Sequence, residues 1–192
     1  MSGEQKRIYL DYNATTPLKP EVKAAMIEDM EVYGNASSMH TDGRLARARV
    51  EEARRAVGEL LGVSAGTIVF TSGGSESNNT VFQTMRSLAL DEGGRIRPDV
   101  RNEIITTAIE HPCVLGSAEY LKSLGFRVTF LPVDEYGKIK IDALKAALSE
   151  KTLLVSVMMA NNEIGTIQDI REIGKLVKEA GAWYHSDAVQ AV

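Results

Sequence analysis

An α/β fold with a mostly parallel sheet is the architecture this sequence predicts, and two observations carry it. From residue 67 onward, short β-branched or apolar runs alternate with segments whose apolar residues recur at helical period. One of these runs, 153–159, is apolar except for Ser156, as befits a strand covered on both faces. Such alternation implies right-handed crossovers, with helices on both faces of the sheet. An N-terminal arm and helices precede the sheet, so the expected division is 1–62 and 63–192.

Residues 1–20 read as an irregular arm with a short extended piece, Ile8–Leu10. Pro20 suits the first turn of a helix, where its missing N–H has no partner anyway. Val22, Met26 and Met30 then share one face. A small-residue loop, Gly34–Ser38, leads to a second helix with the stripe Val50, Ala53, Val57, Leu60 and Leu61, stopped by Gly62. Thr67–Phe70 is predicted as a short strand and 75–90 as a helix. Strands over 103–108, 127–131 and 153–159 follow, with helices over 113–124 and 141–149 between them. The next helix is expected to start at Thr166, with Asp169 three residues on in a capping-box-like pair. Its stripe is Ile167, Ile170, Ile173, Leu176 and Val177, and Gly181 ends it. Trp183–Ser186 begins a last strand.

Composition narrows the function classes. With 44% hydrophobic and 25% charged residues over 192 positions, the chain has the balance of about one soluble domain. A net charge of -4, with lysines and arginines scattered, favours neither nucleic acid nor an anionic membrane as partner. No apolar run approaches the roughly 20 residues needed to span a bilayer. Met1–Arg7 lacks the apolar core of a secretion signal. One cysteine, Cys113, excludes a disulfide framework and a cysteine-rich metal site. A cytoplasmic protein is expected.

Parallel sheets bind ligands at the carboxyl ends of their strands, and four strand ends here carry unusual chemistry. After 67–70 comes Thr71–Glu76, with Gly73, Gly74 and Ser75 leading straight into a helix. Small residues let backbone N–H groups face an anion, and the helix terminus adds positive potential. The loop reads as a phosphate cup or as a plain glycine turn. After 103–108 comes Glu110-His111-Pro112, where proline holds His111 extended; the histidine is catalytic or structural. After 153–159, Asn161 and Asn162 either shape a turn or offer amides to a ligand. After the last strand, Asp187 needs a partner, which is a backbone N–H, an arginine or a ligand cation.

Pyridoxal 5'-phosphate (PLP) suits all four places. Gly74 and Ser75 would take its phosphate, and His111 would stack on its ring. Asn162 and Gln190 would hydrogen-bond near its phenolate, and Asp187 would hold the ring nitrogen protonated. Opposite unit charges about 4 Å apart attract by about 4 kcal/mol at an effective dielectric of about 20, enough to keep the ring an electron sink.

These motifs resemble those of the cysteine desulfurases, within the class V aminotransferase-like group of fold-type I PLP enzymes. The carriers are Tyr9–Pro17, Gly34–Ser38 with His40, Phe70–Ser77, Glu110-His111, Asn161–Gly165 and His185–Gln190, six motifs in family order. The resemblance implies that Gly74 and Ser75 bind phosphate and that His111 stacks on the cofactor and moves a proton. It implies Asn162 near the phenolate and substrate carboxylate, Asp187 on the ring nitrogen and Gln190 on the phenolate oxygen. The implied reaction takes sulfur from L-cysteine, leaves alanine and forms an enzyme persulfide for iron–sulfur cluster assembly or tRNA thiolation. A homodimer and a sulfur-acceptor or scaffold protein are the implied partners. In the family, the lysine that attaches the cofactor, the persulfide cysteine and the carboxylate-binding arginine lie beyond the Asp-x-x-Gln motif, and this sequence ends at Val192. On that reading 63–192 is an incomplete PLP-binding domain, inactive alone, with uncovered apolar surface that favours association. Cys113 does not match the family nucleophile and is expected to be a buried structural thiol. A related class V enzyme, such as a selenocysteine lyase, or a non-catalytic partner of a full-length homologue are the alternatives.

Overall fold

The computed structural model describes residues 8–191. The chain forms two compact units, Met1–Phe70 and Thr71–Val192. The first contains α1 (Pro20–Asp29), α2 (Thr41–Leu61) and a single 3₁₀ turn, Ala65–Thr67. Pro20 occupies the first helical turn of α1, as its chemistry dictates. His40 caps α2, its Nδ1 accepting from the Gly43 N–H at 3.3 Å. Gly62 closes α2 in the left-handed conformation at φ 66°, and the Val63 N–H returns to the Gly58 carbonyl at 2.9 Å. That 6→1 bond needs the left-handed residue that glycine supplies without strain.

The expected stripes of these two helices bury little. No residue of α1 is buried, and α2 buries only Gly43, Ala46 and Gly58. Large apolar side chains of this unit stand in solvent, among them Met39 at 88% and Tyr33 at 87% exposure.

The second unit contains α3 (Gly74–Ala89), β1 (Glu103–Thr107), α4 (Pro112–Ser123), β2 (Arg127–Leu131), α5 (Ile141–Ala147), β3 (Thr152–Ser156), α6 (Ile170–Glu179) and β4 (Trp183–His185). The four strands are parallel in the order β2-β1-β3-β4. The sheet grows outward from β1 first to one side and then to the other, so the strand order reverses between β1 and β3. Pleating sends successive side chains to opposite faces. Ile104 joins Phe82 and Met85 of α3 and Val114, Ala118 and Leu121 of α4 in one core. Ile105 joins Leu144 of α5 and Ile173 and Val177 of α6 in the other. The sheet therefore carries helices on both faces, as the sequence predicts.

Two local expectations are corrected. Thr67–Phe70 is not a strand: Thr67 ends the 3₁₀ turn, and no described strand pairs with 68–70. Val69 is exposed, and the Ile68 carbonyl accepts from the Arg54 guanidinium rather than from a neighbouring strand. β propensity had no sheet to join there. The second correction concerns α6, which starts at Ile170 rather than after Thr166. Asp169 is its cap, accepting from the Glu172 N–H at 3.1 Å. The sequence holds a second capping-box pattern, Asp169–Glu172, three residues downstream of the expected one. Ile167 consequently falls outside the helix and is exposed.

Both faces of the sheet should matter to stability. Ile104→Ala and Ile105→Ala each remove a fully buried side chain and should each cost about 2–5 kcal/mol in denaturant unfolding. A cost confined to one of the two would contradict the two-core arrangement.

Candidate functional site

Strand order reverses between β1 and β3, and in open α/β sheets the crevice at the carboxyl ends beside such a reversal is where ligands are taken. The loops on either side are tied together. Glu110, three residues past β1, accepts at Oε1 from the Met158 N–H at 2.9 Å and from the Thr107 hydroxyl at 2.8 Å. Asn161, past β3, donates from Nδ2 to the Ile109 carbonyl at 2.8 Å. Its Oδ1 accepts from the N–H groups of Glu163 and Ile164 at 2.8 and 2.9 Å. Of the two asparagines, Asn161 thus shapes the turn. Asn162 is half-buried in the same loop, its amide donating to Glu163 Oε1 at 2.9 Å.

Asp187 follows β4 and is 8% exposed. Its Oδ1 accepts from the Val189 N–H at 3.0 Å and its Oδ2 from Asn78 Nδ2 at 2.7 Å. Its carbonyl accepts from the Met159 N–H at 2.8 Å, which fixes the segment beside β3. Among the described residues, no Lys or Arg forms an ion pair with it. A buried carboxylate held by neutral donors alone is costly unless a cation completes it.

His111 caps α4. Its Nδ1 accepts from the Cys113 N–H at 3.2 Å and lies 3.0 Å from Cys113 Sγ. With Nδ1 engaged as acceptor, a neutral ring carries its proton on Nε2. Cys113 is half-buried and also accepts from Asn78 Nδ2 at 3.2 Å, so it belongs to the polar network rather than to a sealed core. His185, at the end of β4, lies 2.8 Å from the Ser156 hydroxyl through Nδ1; burial pushes its pKa down and the Asp187 charge partly offsets this.

At the start of α3, a Cβ built on Gly74 would stand 2.9 Å from Val189 Cγ2. The first turn of α3 therefore packs on the turn that follows Asp187. Ser75 is exposed, and its carbonyl accepts from Asn79 Nδ2 at 2.7 Å. The loop closes on itself through Ser72 N–H to Glu76 Oε2 at 2.6 Å and Thr71 Oγ1 to Ser77 Oγ at 2.7 Å. The Ser72 backbone N–H holds the Glu76 carboxyl below its usual pKa. Gln190 is half-buried in the turn after Asp187, which the Ala191 N–H closes onto the Ala188 carbonyl at 2.9 Å.

Gly74, His111 and Asp187 are thus joined through Val189, Asn78 and Cys113, while Asn162 and Gln190 lie in the loops after β3 and β4. Three residues of this arrangement escaped sequence reasoning as site residues: Asn78, Cys113 and Glu110. A signal existed for Asn78. It stands at the first position of the stripe Asn78, Phe82, Met85 and Ala89, an amide on an otherwise apolar face.

Glu110 is 4% exposed. Burial, foremost, pushes its pKa up to about 7; the bonds from Met158 and Thr107 pull it back, and the Asp187 charge raises it further. Its Oε2 is buried and has no hydrogen-bond partner, which suits a neutral carboxyl better than an ion. Below pH 4.5, the ordinary glutamate value, folded and unfolded chains both hold the proton. Between there and about pH 7 only the folded chain holds it, so stability falls as pH rises through that window. Relative to Glu110→Gln, the wild-type protein should lose up to about 3 kcal/mol across the window. Parallel unfolding curves for the two proteins across that range would contradict the assignment.

Residues 8–192 match the model of the family described as aminotransferase class-V. A cysteine desulfurase IscS of Dictyoglomus turgidum is 45% identical over 189 residues, covering 98% of this chain and 46% of that protein. A solved NifS-like protein is 40% identical with a TM-score of 0.90, covering 97% of this chain and 50% of that one. A structure described as SspA in complex with cysteine is 33% identical with a TM-score of 0.85, over 93% and 49% of the two chains. The chain spans less than half the length of the curated relative. With a parallel sheet, a crevice at the strand reversal and a family match running through all the described residues, the chain belongs to the aminotransferase class-V family.

Proposed function

We propose that this chain forms the PLP-binding part of a cysteine desulfurase, residues 63–192 being the cofactor-binding segment and 1–62 an N-terminal arm with helices. The observation that carries the reading is Asp187: a buried carboxylate at the carboxyl edge of a parallel sheet, supplied with neutral donors and, among the described residues, with no ion-pair partner. A pyridine ring nitrogen is the complementary group. Gly74 supports the fit, since a side chain there would collide with Val189 beside that carboxylate.

In this reading the first turn of α3, with Gly74 and Ser75, takes the phosphate through backbone N–H groups and a hydroxyl. Asp187 faces the ring nitrogen with its negative charge. His111 lies against the ring, fixed by its Nδ1 bond, and offers Nε2 for proton transfer. Asn162 and Gln190 hydrogen-bond the phenolate edge, with Asn162 also reaching the substrate carboxylate. When bound, PLP withdraws electrons from the substrate's reacting carbon. The substrate is L-cysteine and the products are alanine and sulfur held as a persulfide, destined for iron–sulfur cluster assembly or tRNA thiolation through an acceptor or scaffold protein. Curated relatives carrying the desulfurase name support this choice. No helix among the described residues is long and apolar enough to cross a membrane, which is compatible with work in the cytoplasm.

Titration of the protein with PLP should show saturable binding, by absorbance or fluorescence. Asp187→Asn should weaken it tenfold or more while leaving the thermal midpoint within a few degrees. Absence of saturable binding would overturn the reading, and equal loss of binding and stability would make Asp187 structural.

Self-association is the second expectation, because the exposed apolar side chains of α1 and α2 and of the segments beside them exceed what a solitary soluble unit usually shows. Sedimentation should give a dimer or larger species. A monodisperse monomer at tens of micromolar would count against it.

A further inference from the structure

Asn78 belongs to no motif that explains it, yet it is 3% exposed and stands at the centre of the polar network. Its side-chain nitrogen carries two hydrogens, and both are used. One goes to Asp187 Oδ2 at 2.7 Å and the other to Cys113 Sγ at 3.2 Å. Reversing the amide would set its oxygen against the carboxylate, so charge fixes the orientation. Cys113 Sγ in turn lies 3.0 Å from His111 Nδ1. The result is a continuous chain, Asp187–Asn78–Cys113–His111, running from α3 to α4 and to the segment after β4.

We propose that Asn78 is the positioning residue for Asp187, holding its carboxylate toward the ring nitrogen of the bound cofactor, and that Cys113 locks the amide by accepting its second hydrogen. The inference rests on the PLP reading above. Among the described residues, the two oxygens of Asp187 are held by two short bonds. The Val189 N–H secures Oδ1 from its own turn. Asn78 is the side-chain tie to another element, and it issues from the same helix whose first turn packs on Val189. The spacing between the phosphate end of the cup and the ring-nitrogen end is therefore set by one rigid turn of α3. Losing the tie would let the carboxylate rotate and would leave it buried with one donor fewer. Losing the thiol would leave an amide hydrogen unpaired in the same place, a smaller cost because sulfur is a weak acceptor.

The test uses pyridoxine 5'-phosphate labelled with ¹⁵N in the ring, an analogue without the aldehyde, so that no covalent attachment or turnover enters the readout. Its nitrogen chemical shift reports ring protonation, and its affinity is read by fluorescence. In the wild-type protein the bound ring should be protonated at a pH where the free ring is not. Asn78→Leu, similar in shape, should weaken binding about tenfold and shift the nitrogen toward the unprotonated value. Cys113→Ala should produce a change of the same sign but about threefold in affinity, and Cys113→Ser, whose hydroxyl also accepts, should recover most of it. If Asn78→Leu unfolds the protein, the two Cys113 variants decide the matter alone. A wild-type protonated ring with an unaltered signal in Asn78→Leu, or in Cys113→Ala, overturns the positioning role and leaves the PLP reading standing. A wild-type protein that does not bind the analogue, or binds it unprotonated, overturns both.

Discussion

Parallel pairing of β1 with β3 is the constraint on which the rest of the second unit depends. Chain order would place β2 between them, yet β2 lies on the far side of β1. The crossover through α5 that this requires puts helices on opposite faces and separates the loops after β1 and β3 only by the crevice between them. Glu110 and Asn161 then reach across to backbone groups of the segment that follows the opposite strand. The site is therefore braced by the same reversal that creates it. A buried side chain such as Ile104 or Ile105 stabilises the sheet and, through it, the spacing of these loops.

Two carboxyl groups close to this crevice meet different surroundings. Glu110 has one oxygen with donors and one without, and burial holds the proton on it up to about pH 7. Asp187 has a donor on each oxygen. Donors to a carboxyl favour its charged form, and the buried Oε2 of Glu110 has none to offset the cost of burial.

Much of the fold was legible because the second unit obeys local rules consistently. β1, β2 and β3 lie within the expected runs to within a few residues, and their five-residue lengths sit well in a covered sheet. The misreadings occurred where a local signal had two valid answers. Thr67–Phe70 has strand composition without a strand partner, and both Thr166 and Asp169 begin plausible capping boxes. For the candidate site, His111, Asn162, Asp187 and Gln190 could be singled out because they follow β1, β3 and β4, whereas Gly74 and Ser75 were reached through a predicted strand that does not form. Asn78 lies inside a helix, and its role depends on Asp187, 109 positions away in the chain. Cys113 was read as a buried structural thiol because it does not match the family nucleophile, and its partners Asn78 and His111 appear only once α3 and α4 pack together.

His111 illustrates how little freedom such an arrangement leaves. Its Nδ1 satisfies an N–H in the first turn of α4, the service usually rendered there by serine, threonine, aspartate or asparagine. Those residues could finish the helix but have no ring, whereas an aromatic residue such as phenylalanine has the ring but cannot finish the helix. Imidazole meets both demands with different parts of one side chain. Under the proposed role against the cofactor ring, sequence drift at this position is restrained twice, once by folding and once by chemistry, and relaxing either restraint alone would not free the residue to change.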